Sequence, residues 1–125
     1  MTIVLDAGAL IAVERADREV IAILKAERRA GRVPTTHGGV VGQVWRGGAR
    51  QALLARLLDA VEVVALDDAL GRRAGALLGR CGNADVIDAA LVLLAADGDL
   101  IVTSDTGDLD ALATAAGTHL ELIHV

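Results

Sequence analysis

Residues 83–110 read NADVIDAALVLLAADGDLIVTSDTGDLD, and their pattern decides the architecture. The apolar stretch from Asp85 to Ala96 suits a helix, and Asp97-Gly98-Asp99 a tight turn. Leu100 to Thr103 then reads as a buried strand, with a further helix over Leu109 to Ala116. The carboxylates in this stretch are not scattered. Asp85 and Asp88 stand three apart and so share one helical face. Asp105 follows the apolar strand, and Asp108 comes three residues later. From Cys81 onward there are eight acidic residues and no Lys or Arg, whereas Arg15 to Arg80 carries twelve basic and seven acidic ones. A segment that gathers carboxylates and excludes cations can hold a cation of its own.

Working outward, 125 residues suit one domain spanning 1–125, with roughly two-thirds of the unfolded chain's surface buried. Hydrophobic residues make up 54% and mean hydropathy is +0.51, yet Trp45 is the only aromatic side chain. The core must therefore be built from Ala, Val, Leu and Ile. No apolar run approaches the roughly 20 residues that span a bilayer, and no secretory signal is visible at the start. The lone Cys81 excludes an internal disulfide and suits the cytoplasm, the expected location. A net charge of −5 disfavours a protein that coats nucleic acid, but leaves room for a nuclease with a local basic rim.

Thr2 to Leu5 is a short β-rich run ending at Asp6, and Ala7 to Val13 reads as a short helix. Asp17 can cap a second helix that buries Val20, Ile21, Leu24 and the stem of Lys25, and ends in Arg28, Arg29 and Arg32. Val33 to Thr35 is the second strand, and residues 36–39 form a loop. Val40, Val41, Val44 and Trp45 make a third helical stripe, which Gly47-Gly48 breaks. Ala49 to Ala60 is helical, and its four leucines exceed what one narrow core stripe needs, which points to a second copy or a partner. Val61 to Leu66 is a strand, Asp67-Asp68 caps the next helix, and Leu120 to Val125 is the last strand. Apolar strands alternating with helices indicate a mainly parallel sheet covered on both faces, a three-layer α/β/α fold whose strand order stays open.

In such a sheet, ligands sit beyond the carboxyl ends of the strands, where the strand order reverses. If the first and fourth strands are neighbours, Asp6 and Asp105 lie side by side, and the helix carrying Asp85 and Asp88 begins at the same end. Two carboxylates about 4 Å apart repel by about 4 kcal/mol at an effective dielectric near 20, so several together need protons or a cation. Oxygen donors select Mg²⁺ or Mn²⁺, and the chemistry that suits is metal-assisted phosphodiester hydrolysis. Each aspartate has an ordinary alternative: Asp85, Asp105 and Asp108 can cap helices and Asp88 can be solvated. His37, His119 and His124 show no metal-ligand spacing, and the paired glycines match no phosphate-binding fingerprint.

The segments IVLDAGALIAVE (residues 3–14), PTTHGGVVGQVWRGG (34–48) and DVIDAAL with LIVTSDTGDLDAL (85–91 and 100–112) resemble a PIN domain, most closely the VapC toxins of bacterial toxin–antitoxin pairs. The resemblance implies a PIN-like sheet of about five strands, Mg²⁺- or Mn²⁺-dependent ribonuclease activity on an RNA substrate, a homodimer and a cognate VapB-type antitoxin. Asp6 matches the family's first metal-site Asp, Asp105 the Asp after the fourth strand, and Asp108 its weaker neighbour. The helix position is shared between Asp85 and Asp88.

One departure stands out: Gln43 occupies the place of the family's usual Glu. An amide can coordinate through its carbonyl but contributes no charge, and Asp85 with Asp88 can restore it. The reading is thus a hydrolase with Asp6, Asp88 and Asp105 catalytic, and Asp6, Asp85, Asp88, Asp105 and Asp108 around the metal. Gln43 is peripheral, and Arg46 and Arg50 face RNA. The alternative is a catalytically weakened PIN domain that acts by binding RNA or antitoxin. If Gln43 faces the metal, Gln43→Glu will tighten Mn²⁺ binding and raise RNA cleavage modestly, because repulsion from the aspartates offsets most of the added attraction. Calorimetric Mn²⁺ titration and a cleavage assay check this; unchanged values in both would put residue 43 outside the site.

Overall fold

A computed structural model describes residues 1–82 and 85–125; Asn83 and Ala84 of the stretch quoted above lie outside the described residues. The chain runs β1 (Ile3–Leu5), α1 (Ala7–Glu14), α2 (Arg18–Arg29), β2 (Thr35–His37), α3 (Gly38–Val44), a 3-10 turn (Ala49–Gln51) and α4 (Ala52–Asp59). It continues with β3 (Glu62–Val64), α5 (Asp68–Cys81), α6 (Val86–Leu93), β4 (Leu100–Thr103), α7 (Thr106–Ala116) and β5 (Glu121–His124).

The sheet order is β3-β2-β1-β4-β5, and the paired strands are all parallel. From β1 the chain first builds outward through β2 and β3, then returns to place β4 on the other side of β1. Right-handed crossovers that reverse direction put their helices on opposite faces. Accordingly α1 packs with α2, α3 and α4, while α5, α6 and α7 pack with one another. The result is the three-layer α/β/α, PIN-like architecture expected from the sequence.

The paired residues of β1 and β4 are apolar and buried: Ile3, Val4 and Leu5 pair with Leu100, Ile101 and Val102. Leu10 and Leu54 fill the core on one side of them, and Leu77, Leu91, Leu109 and Leu112 on the other. Small residues at Ala74, Ala89 and Ala90 are fully buried, which lets α5 and α6 approach closely without any aromatic filling. Trp45, which closes α3, is instead 41% exposed and borders a shallow hollow with Val41, Ala55 and Leu58.

Several boundaries differ from the sequence expectation, each for a local reason. The second strand is Thr35–His37, not Val33–Thr35, and Gly38-Gly39 opens α3 rather than forming a loop. The buried Thr36 hydroxyl donates to Leu5 O at 2.8 Å, and His37 uses both ring nitrogens, so these polar residues can occupy a strand interior while Val33 stays exposed. Helix α2 buries Val20 and Glu27, with Ile23 and Leu24 packed on the core between them. Ile21 and the Lys25 stem line a groove instead. Glu27 stays ionised because Arg32 grips it with two hydrogen bonds of 2.8 and 2.9 Å, which hold its carboxyl below the usual range.

Helix α6 ends at Leu93 rather than Ala96. The amides of Leu94 and Ala95 bond three residues back, and Ala96 N is taken by Asp99 Oδ2 at 2.9 Å. The other Asp99 oxygen accepts Thr2 N at 2.8 Å, so this buried carboxylate staples the amino ends of β1 and β4 together. Asp97 accepts His119 N nearby. Two of the eight acidic residues after Cys81 are therefore fasteners at the end of the sheet away from Asp6. Asp99→Ala will strand two backbone N–H groups and lower stability by about 2 kcal/mol, read as a lower urea midpoint, with Mn²⁺ affinity of the folded chain unchanged.

Candidate metal centre

The switch in strand order lies between β1 and β4, and the register puts Asp6 and Asp105 beyond the carboxyl ends of those neighbouring strands. Asp6 is the N-cap of α1: Oδ1 accepts Ala9 N at 2.9 Å, and Oδ2 accepts Ser104 N at 3.2 Å. The latter bond joins the end of β1 to the turn after β4. Gly8 permits this approach, since a Cβ there would collide with the Ser104 side chain and lie 2.9 Å from its backbone nitrogen. The aspartate is buried, yet its oxygens meet backbone N–H groups rather than a cation.

Asp105 caps α7 by accepting Asp108 N at 3.2 Å, which starts that helix at Thr106 instead of Leu109. Its own amide bonds the buried Thr103 hydroxyl at 2.8 Å. Asp85 caps α6 through Ile87 N at 2.6 Å. The cap reading holds for all three: α1, α6 and α7 each open on an aspartate, whereas α3, which follows β2, opens on His37. Helix N-termini favour negative charge, so the caps make tolerable a concentration of carboxylates that would otherwise disperse.

Asp88, one turn into α6 and half-buried, receives the combined field. Burial pushes its carboxyl up, and Asp85, Asp6, Asp105 and Asp108 push it further, to about 6. Asp108 is also raised, chiefly by the charge of Asp105. Among the described residues the ion pairs are Glu27–Arg32 and Asp68–Arg72, so neither involves this cluster.

The donor set is all oxygen and carries excess negative charge, which fits a hard divalent cation. Among the described residues, however, no three His, Cys, Asp or Glu side chains are grouped as ready-made ligands. Asp6, Asp85 and Asp105 are turned to backbone N–H groups. An ion held by one or two carboxylates and several waters matches this arrangement, and Mg²⁺ commonly binds that way.

The remaining expected site residues divide. Gln43 is exposed on α3, one turn beyond Gly39 and so on the same face. Arg46 does not reach outward as a rim residue: its guanidinium folds back on Gly42 O, Gln43 O and Trp45 O at 2.8–3.1 Å, closing α3. Arg50 is exposed in the 3-10 turn. Sequence reasoning passed over Gln51, whose buried amide accepts from Arg46 N and Gly47 N and donates to Val44 O, fixing the loop between them. It also passed over His37, which burial keeps neutral by lowering its pKa. A polar residue between buried strand and helix was the available signal for His37; for Gln51 there was none.

No protein-family model matches this chain, and no characterised protein matches its sequence. The fold itself is of PIN-like three-layer type. A chain in the crystal structure of VapBC2 from Rickettsia felis, bound to a DNA fragment from their promoter, shares it with a TM-score of 0.69. The match covers 98% of this chain and 99% of that chain at 14% identity.

The raised Asp88 pKa has a defined stability signature. A carboxyl that holds its proton more tightly when folded favours folding fully below about pH 4, and that contribution is lost as pH rises through about 6. The shift corresponds to about 3 kcal/mol, reduced to about 1–2 kcal/mol by solvent screening of a half-exposed group. The buried neutral His37 acts oppositely toward the upper end of this range, so the comparison must be between variants. Urea unfolding in a chelator from pH 4 to 7 will show this loss in the parent and its absence in Asp88→Asn.

Proposed function

We propose that the chain is a Mg²⁺- or Mn²⁺-dependent endoribonuclease of the VapC type, the toxin partner of a VapB-like antitoxin. The observation that carries this reading is the half-buried Asp88 carboxyl at the Asp6–Asp105 edge, raised first by burial and further by the charges of Asp85, Asp6, Asp105 and Asp108. Such mutual repulsion is relieved by a divalent ion. The fold shared with the VapBC2 chain and the matching motifs around Asp6 and Asp105 support the same conclusion.

In this reading Asp6 and Asp88 are the main holders of the ion, with Asp85, Asp105 and Asp108 supplying field and water-mediated contacts. When bound, Mg²⁺ or Mn²⁺ makes water a stronger nucleophile and neutralises charge at a phosphodiester. The protein's part is positional. The Ala9 and Ser104 N–H groups fix the Asp6 carboxylate. The α6 backbone presents Asp88 toward it, and the caps keep Asp85 and Asp105 at the rim. Of the two expected arginines, Arg50 is the one left to meet a phosphate, since Arg46 is engaged in its own helix end. A neutral Gln43 weakens the site without emptying it of charge.

An antitoxin-type partner is supported by a groove of about 560 Å³ between α1, α2 and α4. Its walls are Val13, Leu24, Val33, Leu53 and Leu57, with Lys25, Arg28 and Arg56 along it and no carboxylate in the lining. Leu53 is 40% exposed there, while Leu54 is fully buried, so the extra leucines of α4 are split between core and surface. An acidic amphipathic segment suits that surface; a second copy of the chain is the other occupant expected from the leucine pattern. No helix among the described residues is long and apolar enough to cross a membrane, in keeping with a cytoplasmic enzyme.

Thermal melts with Mn²⁺ test the reading. At a hundredfold excess over the dissociation constant, the ion will stabilise the chain by about 2.7 kcal/mol. Asp6→Asn will remove most of that shift and abolish RNA cleavage. Cleavage by Asp6→Asn at the parental rate would refute the nuclease assignment.

A further inference from the structure

His37 is a fully buried polar residue at a junction. It is the last residue of β2 and the N-cap of α3, and none of its surface is exposed. Its Nδ1 accepts the Gly39 amide at 3.1 Å, and its Nε2 lies 2.9 Å from the carbonyl oxygen of Ile87. A ring that accepts at Nδ1 carries its proton on Nε2, so Nε2–H is the donor to Ile87 O. The imidazole therefore bridges α3 in one helical layer and α6 in the other, over the carboxyl edge of the sheet.

Two features give this bridge leverage. The Ile87 carbonyl belongs to the peptide group that joins Ile87 to Asp88, and a peptide group is planar. Holding its oxygen orients Asp88 N and limits where the Asp88 Cα and side chain can go. In addition, α6 is only eight residues long, too short to sustain itself by helix propensity. The gap between α3 and α6 is also tightly fitted: a Cβ on Gly39 would lie 2.5 Å from Ile87 Cδ1 and 2.9 Å from His37 Cε1.

We propose that His37 is a positioning residue, which through the Ile87–Asp88 peptide sets the place of Asp88 opposite Asp6. Its effect on ion binding rests on the metal-site reading above; the link to α6 does not.

Two substitutions separate the two ring nitrogens. His37→Asn keeps an oxygen near the place of Nδ1 for the Gly39 amide but cannot reach Ile87 O. His37→Gln places an amide N–H near the position of Nε2 and restores the α6 bond. In His37→Asn, amide exchange at Ala89, Ala90 and Leu91 will quicken about tenfold while Gly39 stays protected, and Mn²⁺ affinity will fall roughly tenfold, as for loss of an outer support. In His37→Gln both α6 protection and Mn²⁺ affinity will return to within about threefold of the parent. Parental exchange and affinity in His37→Asn would overturn the proposal, as would equal losses in both variants. Should the parent bind no Mn²⁺, the metal-site reading fails and the exchange contrast still decides the role of His37. The ring ¹⁵N spectrum of the parent gives a check independent of variant folding: an Nδ1–H tautomer would exclude the bridge.

Discussion

The carboxylate of Asp6 is the point on which the upper edge of the sheet depends. One oxygen starts α1, and the other holds the turn that follows β4. Asp6 and Ser104 are 98 residues apart in sequence and meet because β1 pairs with β4. The apolar interior determines that the strands lie together, but only a short acceptor at the end of β1 can serve both amides at once. Gly8 is the corollary: any larger residue would force the α1 backbone away from Ser104. A buried, charged residue is costly unless its oxygens are bonded, and here backbone dipoles supply those bonds without neutralising the charge.

From that constraint follows the odd electrostatics of the edge. Asp6, Asp85 and Asp105 each have a local reason to be there, the start of α1, α6 or α7. Brought together by topology, the caps add their charges to the effect of burial at Asp88, whose carboxyl is raised as a result. Capping and ion binding are successive uses of the same side chains: the first fixes where the charges are, and the second exploits the fact that they repel.

Much of this was legible in the chain itself. Leu100–Thr103 reads as a strand because it is a short apolar run between turn residues, and it is one. Asp6 and Asp105 could be placed at strand ends, and their adjacency followed once β1 and β4 proved to be neighbours. What escaped were features that depend on where particular side chains turn, toward partners both near and far in sequence. His37 and Thr36 sit in a strand because Ile87 and Leu5 offer them acceptors. Arg46 looked free because residue type alone does not reveal that its guanidinium turns back on three carbonyls of its own helix end. Helix α6 stops early because Asp99, outside the helix, takes the amide of Ala96.

Placing the sole aromatic side chain at the α3–α4 joint rather than in the core has an optical consequence. With no tyrosine in the chain, Trp45 is the only strong chromophore near 280 nm and the only intrinsic fluorophore. It is partly hydrated in the folded state, beside a loop pinned by the Gln51 amide. Its emission therefore reports on that joint and on whatever covers it, while the aliphatic centre of the molecule is dark. Loss of the β1–β4 core would register in the far-ultraviolet backbone signal, and docking over α3 and α4 in the indole spectrum, giving the two events separate readouts.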